Sequence, residues 1–299
     1  VIPYYLKFIK KYPNILALSK ASLDDLLLIW SGLGYYRRVK NIHSAIAIIT
    51  KKYNKKFPSD FDEILSLPGI GKTTASAIAT FSGFSNKAIL DGNVKRILKR
   101  FFNINDNIPQ VEKELWSKSL SVTPLKQTSN FIQGMMDIGS LVCTRTKPNC
   151  NKCPLKVAGC SYKHSDVSLK KINKSIKEID MKLAIIINTK NQIYLEKITV
   201  GSLWIGLHSS PSFMIDSDMI KWISNNNLKD YNLNYRVSIT HRVSNKKFKI
   251  NSLFYFLKND KKVSLSSENW YNLSNINVGM PKYQQKVLEI YRTEYENIM

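Results

Sequence analysis

The stretch FDEILSLPGIGKTTASAIATF, residues 61–81, holds two apolar-spaced segments joined by Leu67-Pro68-Gly69-Ile70-Gly71. The spacing predicts one helix running into Leu67 and a second starting near Lys72. Glycines in the turn allow positive φ and let backbone approach a ligand closely. The amides that open a helix have no partner inside it, so they suit a phosphate oxygen. The segment therefore reads as a helix-hairpin-helix that grips a phosphate backbone without reading its sequence. Leu67, Gly69, Gly71, Lys72 and Thr73 are its candidate contact residues. A plain Pro-Gly turn between two helices fits the pentapeptide equally well.

Outward from the hairpin, residues 1–140 read as short amphipathic helices, as in LDDLLLIWSGL and VKNIHSAIAIITKKY. Residues 165–180 are polar and rich in Lys and Ser, which suits a linker. Beyond 181 the texture changes to strands. MKLAIIINTKNQIYLEKI predicts a hairpin turning at Thr189-Lys190-Asn191-Gln192, and the last twenty residues read as helical. The 299 residues suffice for two or three domains with real cores. A net charge of +23 favours a polyanionic partner, although AT-rich coding also enriches lysine. No run of 18 apolar residues occurs, and no secretory leader is read, so a cytoplasmic location is expected.

Four cysteines, Cys143, Cys150, Cys153 and Cys160, fall within CTRTKPNCNKCPLKVAGC. Thiols this dense suit an all-thiolate site for zinc or an iron–sulfur cluster. Disulfides fit poorly in a basic chain without a leader, and spacing alone does not choose the metal. Arg145, Lys147, Lys152 and Lys156 lie between the thiols as phosphate contacts or a solvated loop. Asp91 precedes the basic segment VKRILKRFF. An Asp there is commonly an N-cap. It could also be a carboxylate aimed at a sugar, because breaking an N-glycosidic bond builds positive charge on the ring. The four histidines, His43, His164, His208 and His241, show no metal spacing, and none is given a catalytic role.

In the order hairpin, Asp91, cysteine loop, the chain resembles the endonuclease III superfamily of base-excision DNA glycosylases, and within it the MutY adenine glycosylases. The matching residues are WSGLGYYRRVKNIH (30–43), LPGIGKTTASAI (67–78), ILDGNVKR (89–96), MMDIGSLVCTR (135–145) and the four-cysteine loop. The resemblance implies a mainly α helix-hairpin-helix glycosylase core with an iron–sulfur loop, followed by a C-terminal α+β Nudix-like domain. Its divisions would be 1–88, 89–164, a linker 165–180, and 181–299. It implies removal of adenine opposite 8-oxoguanine or guanine in double-stranded DNA, by a monomer acting at the nucleoid that flips the base from the stack. By the same resemblance Asp91 is the catalytic carboxylate and Asn93 positions the site. Tyr35 is the wedge inserted beside the lesion. Gln133 lies near the flipped adenine, Ser244 meets 8-oxoguanine, and the cysteines hold a [4Fe–4S] cluster.

Several departures bear on these expectations. Related lyases carry a Schiff-base lysine where this chain has Thr73, which points to a monofunctional enzyme. The last cysteine gap is six residues rather than the usual five, and the lesion-reading Phe-Ser-His appears as Val243-Ser244-Asn245. No Glu occurs between Glu196 and Glu268, which argues against magnesium-dependent nucleotide hydrolysis. Asp62 and Glu63 read as surface charges. The opening VIPYYLKFIKKYP reads as mid-domain helix, so a preceding segment is expected. The resemblance puts the general-acid glutamate there, so these 299 residues are expected to bind DNA but to excise adenine weakly. The alternatives are a catalytically impaired relative that only binds damaged DNA, and an endonuclease III-type lyase.

Overall fold

The computed structural model describes residues 1–105, 109–160, 162, 175–201, 203–228, 232–260 and 263–295. Helices fill the first half: α1 (Ile2–Lys11), α2 (Ile15–Leu18), α3 (Leu23–Trp30), α4 (Tyr36–Lys52), α5 (Phe61–Ser66), α6 (Lys72–Phe81), α7 (Gly92–Phe101), α8 (Val111–Val122) and α9 (Thr128–Asp137). A π-helical turn, Ile138–Val142, leads into the cysteine loop. The second half holds β1 (Lys177–Ile187), β2 (Gln192–Tyr194), β3 (Glu196–Lys197), β4 (His208–Ser209), β5 (Ser212–Phe213), α10 (Asp216–Asn225), β6 (Asn232–Val243), β7 (Lys246–Phe256), β8 (Trp270–Asn272) and α11 (Lys282–Tyr295). Several helices start at polar side chains that satisfy free amides. Ser22 and Asp25 form a reciprocal capping box on α3, and Asp60 caps α5 through the Asp62 and Glu63 amides. None of the described helices is long and apolar enough to cross a membrane.

The chain packs as two units: Ala47–Lys171, and Val1–Ile46 together with Ile172–Met299. In the first, Ile64, Ala75 and Ala79 are fully buried where α5 meets α6, and the small alanines let the two helices close together. The main core of this unit gathers Ile89, Leu90, Val94, Ile97, Leu98, Leu115, Ile132 and Met135, with Cys143 and Leu155 packed at its edge. The expected helix-hairpin-helix is present, with Gly69 at φ +79° in the turn between α5 and α6.

The second unit is built on a sheet of order β6-β7-β1-β2-β8, with β5 also pairing β1. β6 and β7 form a long antiparallel hairpin, and β7 runs parallel to β1 over its whole length. Met181, Leu183, Ile185 and Ile187 face α11 residues Tyr283, Val287 and Leu288. Ala184 and Ile186 face the other way, toward Met219 of α10. β1 is therefore covered on both faces, which is why it reads as one apolar run rather than a clean alternation. The β1–β2 hairpin forms as expected, with Ile187 opposite Ile193. Residues 1–46 join this unit because Leu26, Leu27, Ile29 and Val39 share a core with Leu207. Packing thus groups residues across the boundaries expected at 88/89 and 180/181. Most of the expected linker lies outside the described residues, but β1 already begins at Lys177, inside it.

Candidate active site

Asp91 is the N-cap of α7. Its Oδ1 accepts from the Val94 amide at 2.8 Å. Among the described residues its other carboxylate oxygen accepts no hydrogen bond, and the side chain is half-buried. The N-cap is therefore formed, through one of the two carboxylate oxygens. The segment leading into Asp91 is fixed from behind. Ile89 and Leu90 are buried, the Ser119 hydroxyl donates to the Ile89 carbonyl (2.6 Å), and Thr73 Oγ1 donates to the Leu90 carbonyl (3.1 Å). Thr73 thus ties the helix after the hairpin to the residue before Asp91.

Asn93, in the first turn of α7, is held by Arg96. The Arg96 Nη2 donates to Asn93 Oδ1 at 2.8 Å and also to the Gly139 carbonyl, while Nε donates to the Cys143 carbonyl at 2.8 Å. One guanidinium therefore connects the Asp91 neighbourhood to the first cysteine. Gly139 gives this arrangement its closeness, because a Cβ there would meet Asn93 Cβ at 2.5 Å.

The four cysteines carry no disulfide and line one pocket together with Arg100, Leu155 and Tyr162. Burial pushes the Cys150 thiol above its ordinary pKa, and the charges of the other three cysteines add to the rise. Arg100 reaches into the pocket from α7. It is 9% exposed, and its Nη1 lies 3.1 Å from Cys143 Sγ and donates to the Thr144 carbonyl at 2.8 Å. Its guanidinium also sits 4.6 Å from the centre of the Tyr162 ring. Among the described residues, no group of three or more His, Cys, Asp or Glu side chains is gathered so as to hold a metal ion.

The comparisons with known proteins bear on what this arrangement does. The HhH-GPD superfamily of base-excision DNA repair proteins matches residues 1–119. An adenine DNA glycosylase of Buchnera aphidicola subsp. Baizongia pistaciae is 40% identical over 296 residues, covering 96% of this chain and 84% of that protein. The chain belongs to the adenine DNA glycosylase family. The same family's protein from Buchnera aphidicola subsp. Acyrthosiphon pisum is 39% identical, over 97% of this chain and 85% of its own length. A solved thermostable thymine-DNA glycosylase shares 26% identity over 54% of this chain and 74% of its own, with a TM-score of 0.49. The adenine DNA glycosylases are base-excision repair hydrolases, and this chain is one of them.

Within this adenine DNA glycosylase, Asp91, Asn93 and Thr73 come together, and Cys143 joins them through Arg96. Gly69, Gly71 and Lys72 are exposed, and no side chain caps the first turn of α6. Lys72, expected as a phosphate contact, has its ammonium 4.2 Å from the Trp116 ring centre. The Leu67 side chain is 2% exposed and its carbonyl accepts from Ile70, so it shapes the turn from inside. Gln133 is exposed on α9 and donates to Asp137 at 2.9 Å, rather than forming a buried amide. Tyr35 and Ser244 belong to the other unit. Tyr35 is 79% exposed at φ +53°, and Ser244 sits exposed at the tip of the β6–β7 hairpin at φ +56°. The basic helix α7 is less open to phosphate than its sequence suggests. Lys95 pairs with Glu112 at 2.6 Å, and Arg96 and Arg100 turn inward. Sequence reasoning missed both arginines. Their spacing from Asn93, three and then four residues, placed them on one helical face.

Proposed function

We propose that this glycosylase removes adenine paired with 8-oxoguanine, or with guanine, by hydrolysing its N-glycosidic bond in double-stranded DNA without a lyase step. The observation that carries the reading is the divided Asp91 carboxylate, one oxygen tied to the start of α7 and the other unengaged among the described residues. Loss of the base leaves positive charge on the sugar, and a fixed anion stabilises it without reorganising. Asn93, held by Arg96, borders the same site, and Gln133 would meet the flipped base. The amides of Gly71, Lys72 and Thr73 at the start of α6 would hold a phosphate. Tyr35 would occupy the gap in the stack, and Ser244, on a Nudix-like C-terminal body, would read the lesion. Thr73 offers a hydroxyl engaged with Leu90, which cannot form a Schiff base. The enzyme would act as a monomer on cytoplasmic, nucleoid DNA.

Cys143, Cys150, Cys153 and Cys160 would hold a [4Fe–4S] cluster. That the four thiols line one pocket supports the reading, since such a cluster takes one thiolate on each of its irons. When bound, the cluster supplies a rigid anchor for the loop whose Cys143 carbonyl receives Arg96. Purified protein should be brown and lose its visible band on acid treatment, whereas colourless protein carrying zinc would sink the assignment.

The reaction is tested without relying on turnover. Duplexes are made with 8-oxoguanine opposite either a cationic pyrrolidine or a neutral tetrahydrofuran in place of the adenosine sugar. The chain should prefer the cation, and Asp91→Asn should remove that preference, a loss of about a hundredfold. Equal binding of both analogues by the unaltered chain would overturn the reading. So would equal binding of adenine:8-oxoguanine and fully paired duplexes.

A further inference from the structure

Tyr35 adopts a backbone conformation that suits glycine better than an aromatic residue, so something must hold it. Part of the hold is local. The Trp30 indole donates to the Gly34 carbonyl at 3.0 Å, and the Gly32 amide donates to the Tyr36 hydroxyl at 3.1 Å. The rest comes from the far end of the chain. The Ser31 hydroxyl donates to the Met280 carbonyl (2.8 Å) and accepts from the Met280 amide (2.9 Å) and from Gln285 Nε2 (2.6 Å). One donor and two acceptor positions use all that a hydroxyl offers. Backbone approaches are equally tight. A Cβ on Gly32 would lie 3.0 Å from Gln285 Oε1, and one on Gly279 would lie 2.8 Å from the Leu27 carbonyl. The 197–208 strand pair braces α3 as well, through the Lys197–Asp24 ion pair at 2.7 Å.

We infer that the start of α11 positions the wedge, with Gln285 and Met280 holding the Tyr35 loop through Ser31. The C-terminal body then takes part in mismatch recognition twice, through its own hairpin tip and through the loop it holds. Ser31 and Gln285 are positioning residues: both act through Tyr35. The inference rests on the reading of Tyr35 as the wedge.

The test compares affinity for adenine:8-oxoguanine duplex with affinity for fully paired duplex, in the full chain. Ser31→Ala and Gln285→Met, which keeps length but loses the donor, should each lower that ratio about tenfold. Affinity for paired duplex should hold, and Ser31→Thr should restore the ratio. Tyr35→Ala should lose the ratio, and adding Gln285→Met to it should change nothing more. Amide exchange at 32–36 should rise in Ser31→Ala and Gln285→Met. A ratio lost in Tyr35→Ala but kept in the Ser31 and Gln285 variants overturns the inference alone, as does unaltered exchange at the loop. A ratio unchanged in Tyr35→Ala overturns the wedge reading and the inference with it. An equal loss on both duplexes would mark a merely structural role and also overturns it.

Discussion

Gly139 is the residue whose smallness the site depends on most directly. Gly139→Ala drives a methyl to within 2.5 Å of Asn93 Cβ, so the π turn or α7 must move. The expected cost is about 1–3 kcal/mol of stability, read by denaturant unfolding, together with a weaker preference for the cationic sugar analogue. Thr73→Val is gentler. It keeps the shape and removes the donor to the Leu90 carbonyl, so about 1 kcal/mol should be lost and the Asp91-dependent preference should fall with it. A valine variant with unaltered analogue preference would show that Thr73 does not steady Asp91. At this scale the sequence was legible where chemistry is carried by residue type. Asp91 and the four cysteines stood out by type, and Asn93 only through the resemblance. Arg96 and Arg100 did not, because their acceptors are carbonyls of Gly139, Cys143 and Thr144, more than forty positions away. A basic residue on a helix looks the same whether it faces phosphate or a distant loop.

Among the elements, the hairpin between α5 and α6 was the most legible, since its turn needs glycine for a local reason. Gly69 sits at φ +79°, so Gly69→Ala should cost about 1–2 kcal/mol of backbone strain. If the turn grips phosphate, that variant should weaken binding to mismatched and paired duplexes by the same factor. Selective loss on the mismatch alone would assign the turn a role in reading bases. β1 shows the opposite case. Its hairpin pattern marked a strand, but its parallel partner β7 and its two covering helices are remote in sequence. A hairpin announces its register through its turn, whereas a parallel pair leaves no such mark.

For the whole molecule, a charge of +23 predicts affinity that falls steeply with salt, for paired and mismatched duplex alike. A flat dependence from low to physiological salt would show that the excess charge lies away from the DNA. Alkaline pH probes the anchoring of α11. Burial pushes the Tyr283 phenol up to about 12 from its ordinary 10.0, outweighing the lowering from its hydrogen bond with Ser209. Below pH 10 both folded and unfolded chains keep the proton, and this contribution is fully present. Between about 10 and about 12 only the unfolded chain releases it, so stability falls as pH rises, by up to about 1.4 kcal/mol per pH unit. Tyr283→Phe should make that fall shallower in urea titrations across this range. An unchanged slope would place the titration elsewhere.

The split of one unit between the two ends of the chain has a consequence for synthesis on the ribosome. Ala47–Lys171 forms a compact unit of its own and can begin folding while translation continues. The first 46 residues cannot. Leu27 waits for Leu207 and Gly279, and Ser31 waits for Met280 and Gln285. Nascent chains stalled short of residue 280 should therefore protect the middle of the protein from protease while leaving α3 and the following loop open to cleavage. Residues 1–46, made long before their partners, would be among the last to become native.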